Sequence, residues 1–271
     1  MIKLEKVYYP SKELSDYIVS YNFYHVDSSG QHAYMVPEGV IELVFQFGTE
    51  ISQSEWNSTE WIKREVGFVG GLHKRSFNLK VSNTGTLFSV RFKPGSFSFF
   101  TLLPVNCLRD SMVTLDDLWE KTVCIELLEK LHNNCTKSNT IFLIEWFLKK
   151  QFKPHNYSYL CLAALDLSKR RMESIEELAS KYNLSKSRFR DIFGKVIGCS
   201  PKQFSQTRRI NSIIQDHGIH GSLTELAFRH GYYDQAHFIH DFKSVTGRKP
   251  SEFSKDLLIH EPVVIQAINE S

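Results

Sequence analysis

The sequence predicts an α+β protein with a strand-rich N-terminal part and an all-helical C-terminal part. Three observations carry that reading. Short apolar runs with two-residue alternation, closed by Gly, Pro or Asn, fill residues 40–92. Beyond Pro104 the apolar period becomes that of a helix. The stretch from Ser174 to Phe253 contains a pattern that occurs twice, at an offset of 48 to 49 residues.

A chain of 271 residues calls for two domains at about 100–200 residues each. With 42% hydrophobic and 23% charged residues, disordered, collagen-like and coiled-coil classes are excluded. No apolar run approaches the roughly 18 residues of a membrane span. The start, Met1-Ile2-Lys3-Leu4-Glu5-Lys6, carries charge where a secretory signal would be apolar. A cytoplasmic protein without a membrane partner is the expectation. The five cysteines (Cys107, Cys124, Cys135, Cys161, Cys199) are widely spaced and form no C-x-x-C pair, which reads as free thiols rather than a disulfide framework or zinc knuckle.

Pro37-Glu38-Gly39 is a turn signal. Residues 40–47 then run apolar, with Glu42 and Gln46 on the alternate face, until Gly48. Residues 66–69, 77–81 and 86–92 are further strands, punctuated by Gly70-Gly71, Asn83, Gly85 and Pro94-Gly95. In the last, Phe88, Val90 and Phe92 alternate with Ser89 and Arg91, the pattern of a strand wet on one side. Such strands predict a small barrel or sandwich. Leu115, Leu118, Trp119, Ile125, Leu128 and Leu131 then fall at helical spacing behind a Thr114–Asp117 cap, and Ile141, Ile144, Phe147 and Leu148 mark a second amphipathic helix. Lys153-Pro154-His155-Asn156 breaks it. The predicted division is a β-rich then helical domain over 1–152, a linker with a lead-in helix over 153–165, a helical domain over 166–258 and a tail over 259–271.

In the repeat, Ser174…Glu177 and Ser222…Glu225 are capping boxes opening short apolar helices. Asn183 and Gly231, both tolerant of a left-handed backbone, follow as turns. Next come Phe189…Phe193…Gly198…Pro201…Phe204 and Phe238…Phe242…Gly247…Pro250…Phe253. Each copy is thus helix, tight turn, helix. Between them Ser200-Pro201 starts a helix whose Phe204, Ile210, Ile213 and Ile214 could brace both. The second helix of the first copy turns Lys186, Ser187, Arg190 and Asp191 outward, and that of the second turns Gln235, Ala236, His237, His240 and Lys243 outward. A major groove admits one helix carrying such side chains. Charge agrees. From Asp166 to Asp256 there are 16 Lys and Arg against 11 Asp and Glu, a balance of +5, whereas the remainder, with 17 against 19, stands at −2.

Residues 174–253 resemble the DNA-binding domain of the AraC/XylS family of bacterial transcription regulators, through both helix-turn-helix units, the bracing helix with Arg208, and the Gly-x-x-Pro-x-x-Phe closing each unit. The resemblance implies two recognition helices in successive major-groove segments. It places Ser187, Arg190, Asp191, Gln235, Ala236, His237 and His240 at base-reading positions. Ser185, Lys186, Lys195, Lys202, Arg208, Lys243 and Arg248 are the candidates for phosphate. Members often carry Arg where this chain has Asp191 and His240; an acid can accept from a cytosine amino group but cannot hold phosphate. Asp191 can equally pair with Arg188 or Lys195 along the helix. Residues 37–45 and 91–95 resemble the N-terminal domain of a subset of these regulators, which implies a cupin-like barrel that senses a small molecule or dimerises. The implied partners are double-stranded DNA, then a small-molecule effector, RNA polymerase and a second copy of the chain.

Enzyme readings fare worse. His25, His32, Glu38, Glu42 and His73 could be gathered into a cupin metal set, but none stands at a tight ligand spacing. Gly70-Gly71 lacks the Gly-Lys-Ser/Thr of a phosphate loop, and no nucleophile elbow occurs. No catalytic residue, metal or cofactor is expected. Two alternatives remain: a helical protein-docking module, marked by a flat salt response, and a metal-dependent cupin enzyme with an appended DNA-binding domain, marked by stoichiometric metal.

Overall fold

The computed structural model describes residues 2–27, 32–55, 58–133, 136–168, 174–216 and 223–253. The N-terminal strands are β1 (Ile2–Tyr8), β2 (Ile18–Val26), β3 (His32–Met35), β4 (Glu42–Phe47), β5 (Glu50–Glu55), β6 (Ile62–Lys63), β7 (Gly67–Gly70), β8 (Phe77–Ser82), β9 (Gly85–Phe92) and β10 (Met112–Thr114). They pair antiparallel into two sheets, one ordered β1-β2-β9-β4-β7-β10 and the other β3-β8-β5-β6. The expected barrel is therefore corrected to two open, stacked sheets. Closing a barrel needs a continuous staggered ladder, and the edge strands β10 and β6, of three and two residues, end the ladders instead.

Alternation along the strands divides the core. On one face of the larger sheet, Tyr21, Phe23, Leu43, Phe45, Phe88 and Val90 pack under helices. On the other, Ile2, Tyr24, Val26, Phe68 and Leu87 meet Ala33, Ile51, Phe77, Leu79 and Val81 of the smaller sheet. The face of β9 expected to be wet is thus covered: Ser89 and Arg91 are 2% and 4% exposed.

The helices over the first face are α1 (Lys121–Asn133) and α2 (Lys137–Gln151). Leu115 and Trp119 are buried and Leu118 half-buried, but in a turn before α1. Local side-chain bonds compete with the helix there: Thr114 Oγ1 donates to Asp116 and Asp117 at 2.6 and 2.8 Å, and Trp119 Nε1 donates to the Phe100 carbonyl at 2.7 Å.

Next come α3 (Tyr159–Ser168), α4 (Ile175–Lys181), α5 (Lys186–Ile197), α6 (Pro201–Asp216), α7 (Leu223–Arg229) and α8 (Gln235–Thr246). The sheet core continues without a break through α3 into Phe189, Phe193 and Phe204. Contact at this junction is close: a Cβ added to Gly95 would stand 2.6 Å from Ile197 Cδ1. A separate cluster joins Ile210, Ile213, Leu226, Phe238, Phe242 and Val245, with Tyr34 of β3 alongside. No helix among the described residues is long and apolar enough to cross a membrane. Cys107 is exposed, Cys161 half-buried, and Cys124 and Cys199 buried, all as free thiols; Cys135 lies outside the described residues.

Candidate nucleic-acid interface

Both repeat units fold as two helices around a left-handed turn. Ser174 caps α4 with the full box: its Oγ accepts from Glu177 N at 3.1 Å, and Glu177 answers to Ser174 N. Ser222 lies outside the described residues. The turns use the two predicted residues, with φ of 54° at Asn183 and 83° at Gly231.

The second helix of each unit begins at a strong cap. Ser185 Oγ accepts from Arg188 N at 3.2 Å on α5, whereas Asp234 Oδ1 accepts from Ala236 N and His237 N at 2.7 and 3.2 Å on α8. Phe189, Ile192, Phe193 and Val196 fasten α5 to the core, and Phe238, Phe242 and Val245 fasten α8. Every predicted base-reading residue is exposed: Ser187, Arg190 and Asp191 on α5, and Gln235, Ala236, His237 and His240 on α8. Ser185, Lys186, Lys195, Lys202 and Lys243 are exposed as well.

Asp191 is held by both of its neighbours, Arg188 at 3.3 Å and Lys195 at 3.1 Å. Lys186 pairs with Glu176 of α4. His237 Nε2 lies 3.4 Å from Asp241 Oδ2.

Asp241 carried no spacing signal, yet it ties the second unit together. It accepts from Gln206 of α6 at 2.7 Å and from the Tyr232 hydroxyl at 3.0 Å. Burial raises the Tyr232 hydroxyl's pKa, with Asp241 adding to the effect.

Arg208 and Arg248 face elsewhere. The Arg208 guanidinium donates to the Glu38 carbonyl at 3.1 Å, and Asn211, one turn on, donates to the Pro37 carbonyl. Arg248 lies over the Tyr34 ring, 5.4 Å from its centroid. Nearby, the Val245 carbonyl accepts from Ser76 N and Oγ at 2.9 and 3.2 Å. Both arginines expected at phosphate thus stand against the sheets.

A helix-turn-helix domain family matches residues 178–256, and a domain of unknown function (DUF6597) matches residues 6–114. The C-terminal domain is an AraC-type helix-turn-helix domain. DNA-binding transcription regulation is the activity such a domain serves. Among solved structures the whole chain is similar to ToxT from Vibrio cholerae, at 14% identity and a TM-score of 0.47, over 89% of this chain and 98% of that one. Unsaturated fatty acid bound wild-type ToxT from Vibrio cholerae strain SCE256 follows at 12% and 0.46, over 90% and 96%. The AraC-like transcriptional activator CuxR is similar at 9% and 0.27, over 73% and 75%. No curated protein matches the chain in sequence.

Against the AraC-type domain stands a cavity of about 120 Å³ between the two sheets. Its wall is apolar (Val44, Ile51, Phe68, Leu79 and Leu87 among others) except for Tyr24, Glu38, Glu42, His73, Ser89 and Arg91. Arg91 pairs with Glu38 and, at 3.0 Å, with Glu42. Burial alone would lower its pKa, but the two carboxylates outweigh that and hold it charged. Burial pushes His73 down to about 4, leaving a neutral ring. Of the five residues considered as a metal set, Glu38, Glu42 and His73 line this cavity and His25 is exposed elsewhere. The side chain of His32 is outside the described ones. No group of three or more His, Cys, Asp or Glu among the described residues is placed to hold a metal.

Proposed function

We propose that the protein is a transcription regulator that recognises a specific double-stranded DNA site by inserting α5 and α8 into successive major-groove segments. The observation that carries this reading is that both helices are capped, anchored by buried phenylalanines and exposed along their polar faces. Ser187, Arg190, Asp191, Gln235, Ala236, His237 and His240 read base edges. Ser185, Lys186, Lys195, Lys202 and Lys243 meet phosphate. Ser185 accepts in its cap and keeps its hydroxyl proton to donate. Asp191 accepts from a cytosine amino group only by giving up Arg188 or Lys195.

Residues 1–152 are the sensing part and 166–258 the DNA-binding part. A small ligand in the cavity between the sheets modulates binding. Pro37, Glu38 and Gly39 line that cavity, and the carbonyls of Glu38 and Pro37 accept from Arg208 and Asn211 of α6, the helix joining both units. Movement of this loop therefore moves the brace.

Selection of bound fragments from genomic DNA supplies the site, and titration by fluorescence anisotropy tests the roles. Arg190→Ala is expected to cost about 1–3 kcal/mol at the selected site and to relax preference at one position. Lys202→Ala is expected to weaken all sequences alike. Equal losses on every sequence for both variants would remove Arg190 as a reader. With roughly 6–10 phosphate contacts, affinity is expected to fall about a thousandfold or more between 50 and 200 mM salt. A flat response would instead favour a protein-docking role.

A further inference from the structure

We infer that the cavity between the sheets takes a small, uncharged ligand of about one ring, with a single oxygen function, and excludes carboxylates and amines. This rests on the reading of the cavity as a ligand site. Size comes first. At about 120 Å³ it is a little smaller than the roughly 150 Å³ apolar cavity that accepts benzene.

Charge decides the class. Glu38 and Glu42 are both committed to Arg91, which is 4% exposed. Behind the wall Arg208 stands against Glu38. Two carboxylates and two guanidiniums balance. As a cationic donor among the described residues an added carboxylate could reach only Arg91 Nε, and it would leave three acids to two guanidiniums. An ammonium would have to displace Arg91 from partners it cannot leave without an unpaired buried charge. A neutral ligand brings no such cost.

The wall also offers hydrogen bonds. Arg91 Nε and His73 Nε2 are buried without a partner among the described residues, and both residues line the cavity. Arg91 Nε donates, and the neutral His73 ring either donates or accepts. One alcohol, amide or ketone oxygen would serve either.

Three probes with the same ring test the inference on the full chain by calorimetry and thermal shift: benzyl alcohol, benzoate and benzylamine. Benzyl alcohol is expected to bind at least about ten-fold more tightly than either ion. Glu42→Gln, which leaves one acid to two guanidiniums, is expected to raise benzoate binding relative to benzyl alcohol. Should this variant fold poorly, the ranking on the unaltered chain still decides. Benzoate or benzylamine binding as tightly as the alcohol would overturn the ligand class while leaving the cavity a ligand site. Binding of none of the three would overturn both.

Discussion

The two helix-turn-helix units share a layout but not a foundation. The first unit shares one continuous core with the larger sheet: Phe189, Phe193 and Phe204 join Phe92, Phe97 and Trp119 in one cluster. The second has its own core around Phe238 and Phe242, and touches the sheets through Tyr34, Ser76 and Arg248. One helix-turn-helix unit is part of the sheet body. The other hangs from α6. The difference teaches that a duplicated sequence need not give duplicated stability, because each copy inherits the burial of whatever it lands on.

Core deletions should expose the contrast most strongly. Phe193→Ala and Phe238→Ala each remove a fully buried ring, and each is expected to cost about 3–5 kcal/mol. The first should lower the melting of the whole chain. The second should raise hydrogen exchange in α7 and α8 while α5 and the sheets keep their protection. Equal spread of exchange in both variants would break the comparison.

Acid should act on the body before the pendant unit. His73 is neutral in the fold with its pKa lowered to about 4, against 6.5 when unfolded. The unfolded chain therefore binds the extra proton. Stability from this group is intact above about pH 6.5 and falls as pH drops towards 4, by up to about 1.4 kcal/mol per unit. Denaturant melts of His73→Gln between pH 7 and 4.5 should show a shallower loss than the unaltered chain.

The caps give the smallest effect. Ser185→Ala loses one neutral acceptor and should cost about 0.5–1 kcal/mol, whereas Asp234→Ala loses two bonds and a charge at a helix start and should cost about 1–2 kcal/mol. Asp234→Asn should keep most of that cap and strengthen DNA binding, since the carboxylate opposes phosphate at the start of α8. Unchanged or weaker binding would show that this end of α8 stands clear of the backbone.

The repeat was legible because its signals are local: capping residues, Asn183 and Gly231 at left-handed turns, and phenylalanines four apart. The sheets were half legible. β4, β7, β8 and β9 were expected within a few residues, but β2 is buried on both faces and shows no two-residue period, while β5 is polar at five of six positions. Alternation at Ser89 and Arg91 told which face they share, not that a second sheet covers it. Arg208 carries no trace in sequence of a partner 170 residues away. Contacts of that span are set by topology, which periodicity does not encode.

That separation has a consequence for how the protein is made. Glu38 meets Arg91 across 53 residues but waits for Arg208 across 170. At about 5–20 residues per second, the ribosome completes the wall between the sheets while the DNA-binding half is still unborn, and roughly 10–30 s separate synthesis of Glu38 from that of Arg208. The cavity between the sheets can therefore close around its own lining before the helices that pack on it exist, and the first docking of α6 would take place on a wall already built.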